Sequence, residues 1–200
     1  MRAIVKEKKE RSLGTKLFLK AERSYTPKSA VVRRPYKPGP HGPNSRARLS
    51  DFAKELQEKQ KIQVTFGLTN KQMQNVFSGT GVQAMVALHL RLDTTVFLLG
   101  LARSMRIARQ LVSHGHIVVN GRKVTISSSC VKVKDIIAIR PESRESKLFE
   151  GLNDRLKAHK PPVWLRLDAD KLQGSVVALP KSEDLQFPFD VALVGQYYSR

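Results

Sequence analysis

Arg103, Arg106 and Arg109 recur at every third residue. In a helix turning ~100° per residue this spacing drifts by only ~60° per step, so three guanidiniums share one side. Ala108, Leu111 and Val112 stand at i, i+3 and i+4 and supply an apolar face. Ser104 is placed to cap the start of this helix, and Gly115 to end it in left-handed backbone. A strand, His116-Ile117-Val118-Val119, follows and turns at Asn120-Gly121, the strongest short hairpin signal. The tip then carries Arg122 and Lys123. The chemistry this offers is recognition of phosphate, because forked guanidinium donors suit two oxygens at once.

Residues that could break bonds are sparse. The histidines are His41, His89, His114, His116 and His159. His114 and His116 flank a glycine with no carboxylate or cysteine nearby to complete a ligand set or a nucleophile, and they read as backbone or RNA contacts at the helix end. Asp93, in Arg91-Leu92-Asp93, reads as a helix cap or the partner of a nearby arginine. Gly79-Thr80-Gly81 is too short for a phosphate-binding loop and lacks its lysine. Cys130 is the single cysteine, which makes neither an intramolecular disulfide nor a zinc site. Its apolar-alternating surroundings predict a buried, inert thiol. No catalytic residue, metal, cofactor or small-molecule substrate is expected.

The formal net charge of +19 implies a polyanionic partner, with nucleic acid first among candidates. Residues 1–50 hold 14 Lys and Arg against 3 acids, and residues 101–150 hold 10 against 4. The two remaining quarters are nearly balanced. No run approaches the ~18–20 apolar residues that span a bilayer, and no amphipathic helix concentrates the charge as membrane-surface proteins do. The first eleven residues are too polar for a signal peptide and contain Glu7 and Glu10, which argues against an organelle transit peptide. A reducing, cytoplasmic setting is expected.

The elements that must position these groups follow from periodicity and punctuation. Residues 1–24 are basic, with a short apolar turn at Leu17-Phe18-Leu19. Residues 25–48, with Pro27, Pro35, Pro38, Pro40 and Pro43, predict no regular structure. Their cations and Tyr25 and Tyr36 predict an arm that orders against RNA. Helices are expected from Ser50 to about Ile62, from Thr69 to Phe77, and from Val82 to Leu90, with another apolar stretch stopped by Gly100. Strands are expected over Lys123–Ile126, Val131–Lys134 and Asp135–Ile139, with Lys132 and Lys134 on one strand face. A polar helix is predicted from Ser143 to Leu156, strands at Trp164–Asp168 and 172–179, and an apolar helix or extended tail at the end.

The run Ala108-Arg109-Gln110-Leu111-Val112 through His116-Ile117-Val118-Val119-Asn120-Gly121 resembles the S-four RNA-binding module. That module also occurs in pseudouridine synthases, some tRNA synthetases and a heat-shock ribosome-binding protein. The resemblance extends further. Leu13-Gly14-Thr15-Lys16-Leu17-Phe18-Leu19-Lys20, Pro38-Gly39-Pro40-His41-Gly42, Arg48-Leu49-Ser50-Asp51-Phe52, Phe66-Gly67-Leu68, Arg91-Leu92-Asp93, Pro162-Val163-Trp164-Leu165 and Tyr197-Tyr198-Ser199 are similar to elements of the S-four ribosomal protein family, in order along about nine-tenths of the chain. Three features depart from the family pattern. No cysteine precedes Cys130, where some members carry a zinc site; the start, up to Arg11, differs; and the segment after Phe77 is short.

The resemblance implies an α+β protein: a helical domain (48–90 with 181–200), an inserted small α+β S-four-type RNA-binding module (91–180) and an extended basic N-terminal arm (1–47). It implies a structural protein of the small ribosomal subunit that binds ribosomal RNA at a multi-helix junction of the 5′ domain and nucleates assembly. It further implies contact with the third and fifth small-subunit proteins and with messenger RNA, whose path would be lined by Arg46 and Arg48. The candidate RNA-binding set is Arg103, Arg106, Arg109, Gln110, His114, His116, Asn120, Arg122 and Lys123, with Arg33, Arg34 and Lys37 from the arm. Such a surface reads junction shape more than base sequence, because A-form duplex hides its major-groove edges. Neutralising ~8 phosphates would give a log–log salt slope near −6 to −7. A free RNA-binding regulator using the same module is the alternative, and it would not need the proline-rich arm or a docked C-terminal helix.

Overall fold

Helix boundaries along the chain are set by short polar side chains and by glycine. A computed structural model describes residues 6–19, 24, 26–43, 49–185 and 189–199. The chain divides into two compact units, one taking in Met1–Ala84 and Phe187–Arg200, the other Met85–Gln186.

In the first unit, α1 (Lys6–Leu13) and α2 (Ala30–Arg33) precede the long α3 (Asp51–Phe66) and α4 (Asn70–Val76). Ser50 accepts from the Ala53 N–H at the start of α3, and Gly67, at φ +62°, ends it. Thr69 and Gln72 form a reciprocal capping box on α4. The last helix, α9 (Val191–Tyr198), starts at Asp190, whose carboxylate accepts from two backbone N–H groups. It packs on α3, with Phe52 and Tyr197 stacked at 5.9 Å, and reaches the end of α4, where Phe77 and Tyr198 stack at 5.9 Å. Lys59, buried on α3, holds its ammonium 4.6 Å from the Tyr197 ring. The terminal aromatics therefore screen a cation that would otherwise face an apolar interface.

Two expectations for the N-terminal quarter are corrected. The charged stretch from Lys6 is helical, and it docks because Lys9 and Gln57 make hydrogen bonds of 3.1 and 2.8 Å between α1 and α3. Regular structure also forms within 25–48, since α2 fits between Pro27 and Pro35. Arg11 donates to the carbonyls of Arg34 and Tyr36, and its guanidinium lies 4.9 Å from the Tyr36 ring centre. The apolar turn at Leu17-Phe18-Leu19 is organised by the buried Glu10 carboxylate, which accepts from the Leu17 and Leu19 N–H groups at 3.1 Å each.

The second unit contains the greater part of α5 (Gly81–His89), then α6 (Leu92–Leu98), α7 (Met105–Ser113), β1 (Ile117–Val119), β2 (Arg122–Lys123), β3 (Ile136–Ile139), α8 (Leu152–Ala158), β4 (Leu165–Asp168) and β5 (Gln173–Val176). The strands form one antiparallel sheet in the order β2-β1-β3-β5-β4. Alternation sends Ile137, Ile139, Leu165 and Val176 into a core with Leu92, Leu99, Leu111 and Trp164. Where the sheet meets Leu99 there is room only for a glycine: a Cβ on Gly174 would lie 2.6 Å from Leu99 Cδ1.

Here too the sequence reading needs correction. Val131–Lys134 forms no strand, and the chain turns at Val133-Lys134. The Asp135 carboxylate accepts from the Lys132 N–H at 2.7 Å and Lys134 sits at φ +75°, so Lys132 and Lys134 share no strand face. After Lys123 the chain leaves the sheet, and Ile126 is exposed. The predicted helix from Ser143 to Leu156 is two 3₁₀ turns, Pro141–Ser143 and Lys147–Phe149, followed by α8, because Gly151 at φ +66° interrupts it. Cys130 is exposed rather than buried. It bridges to Arg91 beside the inward-facing Val131, and the two-residue period turns its thiol outward. Asp93 behaves as expected: it pairs with Arg91 at 2.7 Å and accepts from the Thr94 N–H at the start of α6.

Candidate nucleic-acid interface

The site is built around α7. Ser104 Oγ accepts from the Ile107 N–H, satisfying one of the donors that a helix start leaves open. Met105, Ala108, Leu111 and Val112 are buried, so the helix has one fixed orientation. On its remaining surface Arg106 and Arg109 are half-buried and Gln110 is exposed; Arg103, also exposed, precedes the Ser104 cap, so the helical side expected to carry three guanidiniums carries two. Partial burial of the arginine stems restricts their sweep while leaving the charge toward water.

The C-terminal end of α7 closes with a two-bond cap. The His116 N–H donates to the Leu111 carbonyl at 3.0 Å, and the Gly115 N–H to Val112 at 2.9 Å. Gly115 sits at φ +75°, as its place in the sequence required. The Lys123 side chain crosses this glycine, so that a Cβ there would lie 3.0 Å from Nζ. Lys123 is therefore delivered to the negative end of the α7 dipole, where an ammonium is favoured. The helix and the hairpin tip together bear a strip of cations, with Arg103 just before the Ser104 cap, Arg106 and Arg109 on the helix, and Arg122 and Lys123 at the tip. At ~1.5 Å per residue the helix contributes roughly 13 Å of it.

The tip is a two-residue turn, with Asn120 at φ +50° and Gly121 at φ +78°. Asn120 also performs a task the sequence did not reveal. Its amide donates to Asp135 at 2.8 Å and accepts from the Ile136 N–H at 2.9 Å, clamping the tip to β3. Arg122, on the same tip, is exposed. His116 Nδ1 lies 3.0 Å from Ser143 Oγ, and its ring stands edge-on to Phe149 at 6.1 Å. The exposed His114 ring is 6.1 Å from that of His116.

Three further residues border this surface that spacing did not reveal. Lys147, Leu148 and Arg155 lie forty or so residues along the chain, in the segment misread as one helix, and they line a pocket with Arg103, Gln110 and His114. No local signal in the sequence connects them to α7. Arg33, Arg34 and Lys37 belong to the other unit; all three are exposed, and the two arginines line a cleft with Lys8, Arg11 and Lys28. Arg46 and Arg48 lie outside the described residues.

No helix among the described residues is long and apolar enough to cross a membrane. The arrangement carries fixed positive charge and hydrogen-bond donors.

Comparison with known proteins agrees with this geometry. The family described as S4 domain matches residues 90–137, which contain α7 and the hairpin. The family described as ribosomal protein S4/S9 N-terminal domain matches residues 5–85. The small ribosomal subunit protein uS4 of Thermus thermophilus is 44% identical over 194 residues, covering 94% of this chain and 93% of the relative. That of Syntrophomonas wolfei is 42% identical with the same coverage, as is that of Solidesulfovibrio magneticus. With an α+β fold, an S4 domain built around α7 and relatives aligned over nearly its whole length, the chain belongs to the small ribosomal subunit protein uS4 family.

Proposed function

We propose that this protein is a non-enzymatic structural constituent of the small ribosomal subunit in the cytoplasm, where it binds ribosomal RNA. The observation that supports this best is the set of cations on and around α7 and the hairpin tip, in a chain that aligns with small-subunit proteins over 94% of its length. Arg103, Arg106, Arg109, Arg122 and Lys123 neutralise phosphates. Gln110, His114 and His116 contact the RNA at the exposed side and end of α7. Asn120 holds the tip in register with β3 and contacts the RNA with the amide hydrogen and lone pair that this clamp leaves over. Arg33, Arg34 and Lys37 contribute a second set of phosphate contacts from the other unit.

The finer role we assign is retention of a multi-helix junction in the 5′ domain of small-subunit rRNA, with nucleation of subunit assembly. The third and fifth small-subunit proteins are its neighbours, and Arg46 and Arg48 border the messenger path. A fixed strip suits a junction, because its charges are matched by phosphate positions rather than by base edges.

The test is a hydroxyl-radical footprint of the purified protein on small-subunit rRNA, with sedimentation of subunits through a moderate-salt wash. Protection confined to one junction, and retention on the subunit, are the expected results. Diffuse protection, or loss in the wash, would identify a free RNA-binding factor instead.

A further inference from the structure

Beside the strip lies a pocket of about 300 Å³, at the lower end of the ~300–1,000 Å³ that takes small ligands. Its floor is apolar, made by Leu101, Ile107 and Leu111. Its rim is cationic and polar, with Arg103, Lys147, Arg155 and Gln110. Leu148 stands at the lip with 59% of its surface exposed. The far wall comes from the segment after β3, beyond the residues matched by the S4 domain, so the pocket is not a feature of that domain alone.

We propose that this pocket takes one unstacked nucleobase of the RNA bound along the strip. The inference rests on the RNA-binding reading above and names what the strip does not reach. The occupant must satisfy both halves of the site. A bare phosphate would suit the rim and leave Leu148 and the apolar floor in water. An apolar protein side chain would suit the floor and make no use of the Lys147 ammonium or the Gln110 amide on the rim. A nucleotide carries a flat ring with a polar edge on one side and a phosphate on the other.

The walls fit a ring as well. His116 is held by Ser143 and packs at right angles to Phe149, and it lines the pocket together with His114. Unstacked bases in loops and bulges are bound by stacking on such rings and on guanidinium planes. Gln110 has both donor and acceptor for a base edge.

The test uses the full chain with labelled Ile and Leu methyl groups. Titration with 5′-AMP or 5′-UMP shifts the Ile107, Leu111 and Leu148 methyl resonances saturably, whereas ribose 5-phosphate and inorganic phosphate do not. Equal shifts with all four, or none with the nucleotides, overturn the proposal. Shifts with N-acetyltryptophanamide but not with nucleotides overturn it in favour of a protein partner. In parallel, Leu148→Ser is measured against a 5′-domain rRNA transcript. We expect about five-fold weaker binding, the scale of roughly 40 Å² of apolar surface no longer buried, with an unchanged salt slope because no charge is removed. Wild-type affinity in Leu148→Ser overturns the pocket assignment alone if the double change Arg106→Ala and Arg109→Ala still weakens binding. If that double change has no effect either, the RNA-binding reading falls with it.

Discussion

Replacing Arg106 and Arg109 together by alanine is the most direct probe of the strip. Both side chains lie on the outer surface of α7, while the inward face is made by Ala108, Leu111 and Val112. The substitutions leave that face intact, and alanine is the better helix former, so the fold should persist. Each phosphate contact contributes about 0.7–0.9 to the log–log salt slope, depending on whether the RNA behaves as single strand or duplex. Losing two contacts therefore lowers the slope by about 1.4–1.8. The same relation makes each contact worth roughly 5–8-fold in affinity at 0.1 M salt, and the pair roughly 25–60-fold. The deficit shrinks as salt approaches 1 M. Filter binding or fluorescence anisotropy on the rRNA junction, at four salt concentrations between 50 and 400 mM, measures both quantities. Arg106→Lys with Arg109→Lys restores the slope while keeping part of the affinity loss, since the ammonium retains charge but not the fork. A double alanine variant with native melting, unchanged slope and less than two-fold weaker binding would refute the assignment of the strip.

Three other outcomes are expected. Gly174→Ala forces Leu99 out of its packed position and should cost about 1–3 kcal/mol in urea denaturation; a neutral result would mean that the contact between β5 and Leu99 is loose. Asn120→Ala removes the solvent-exposed clamp to Asp135 and Ile136 and should destabilise by ~0.5–1.5 kcal/mol. It should leave the salt slope as in wild type, whereas a slope lower by about one would show that the clamp also positions a phosphate-neutralising cation of the tip. His89 is fully buried and donates from Nδ1 to the Met85 carbonyl at 2.8 Å, and burial holds its pKa below the ordinary value of 6.5. The unfolded chain therefore takes up the proton first as pH falls. The stability linked to this group is fully present above ~6.5 and declines from there down to the lowered folded-state pKa. Chemical denaturation at pH 7.5 and 5.5 should show a smaller difference for His89→Leu than for wild type, and equal differences would remove His89 from the acid sensitivity.

The local devices of the site were legible in the residues themselves. The Ser104 cap, the Gly115 stop, the turn at Asn120-Gly121 and the two faces of α7 depend on neighbours a few positions away, which is the range over which backbone preference and helical period operate. The ordered run of matching motifs identified the family for the same reason, and the net charge identified the class of partner. What tertiary structure decided were outcomes that depend on residues distant in sequence. Val131–Lys134 has the composition of a strand, but the Asp135 carboxylate captures its backbone and turns it. Cys130 lies in an apolar stretch, yet Val131 takes the inward place and leaves the thiol outside. Asn120 is placed by its turn, but only the arrival of β3 alongside gives its amide the task of holding the tip. Lys147, Leu148 and Arg155 reach the edge of the strip only because the chain returns there after β3. Periodicity carries no information about such meetings, since they follow from burying apolar surface across the whole unit rather than from the preferences of any one segment.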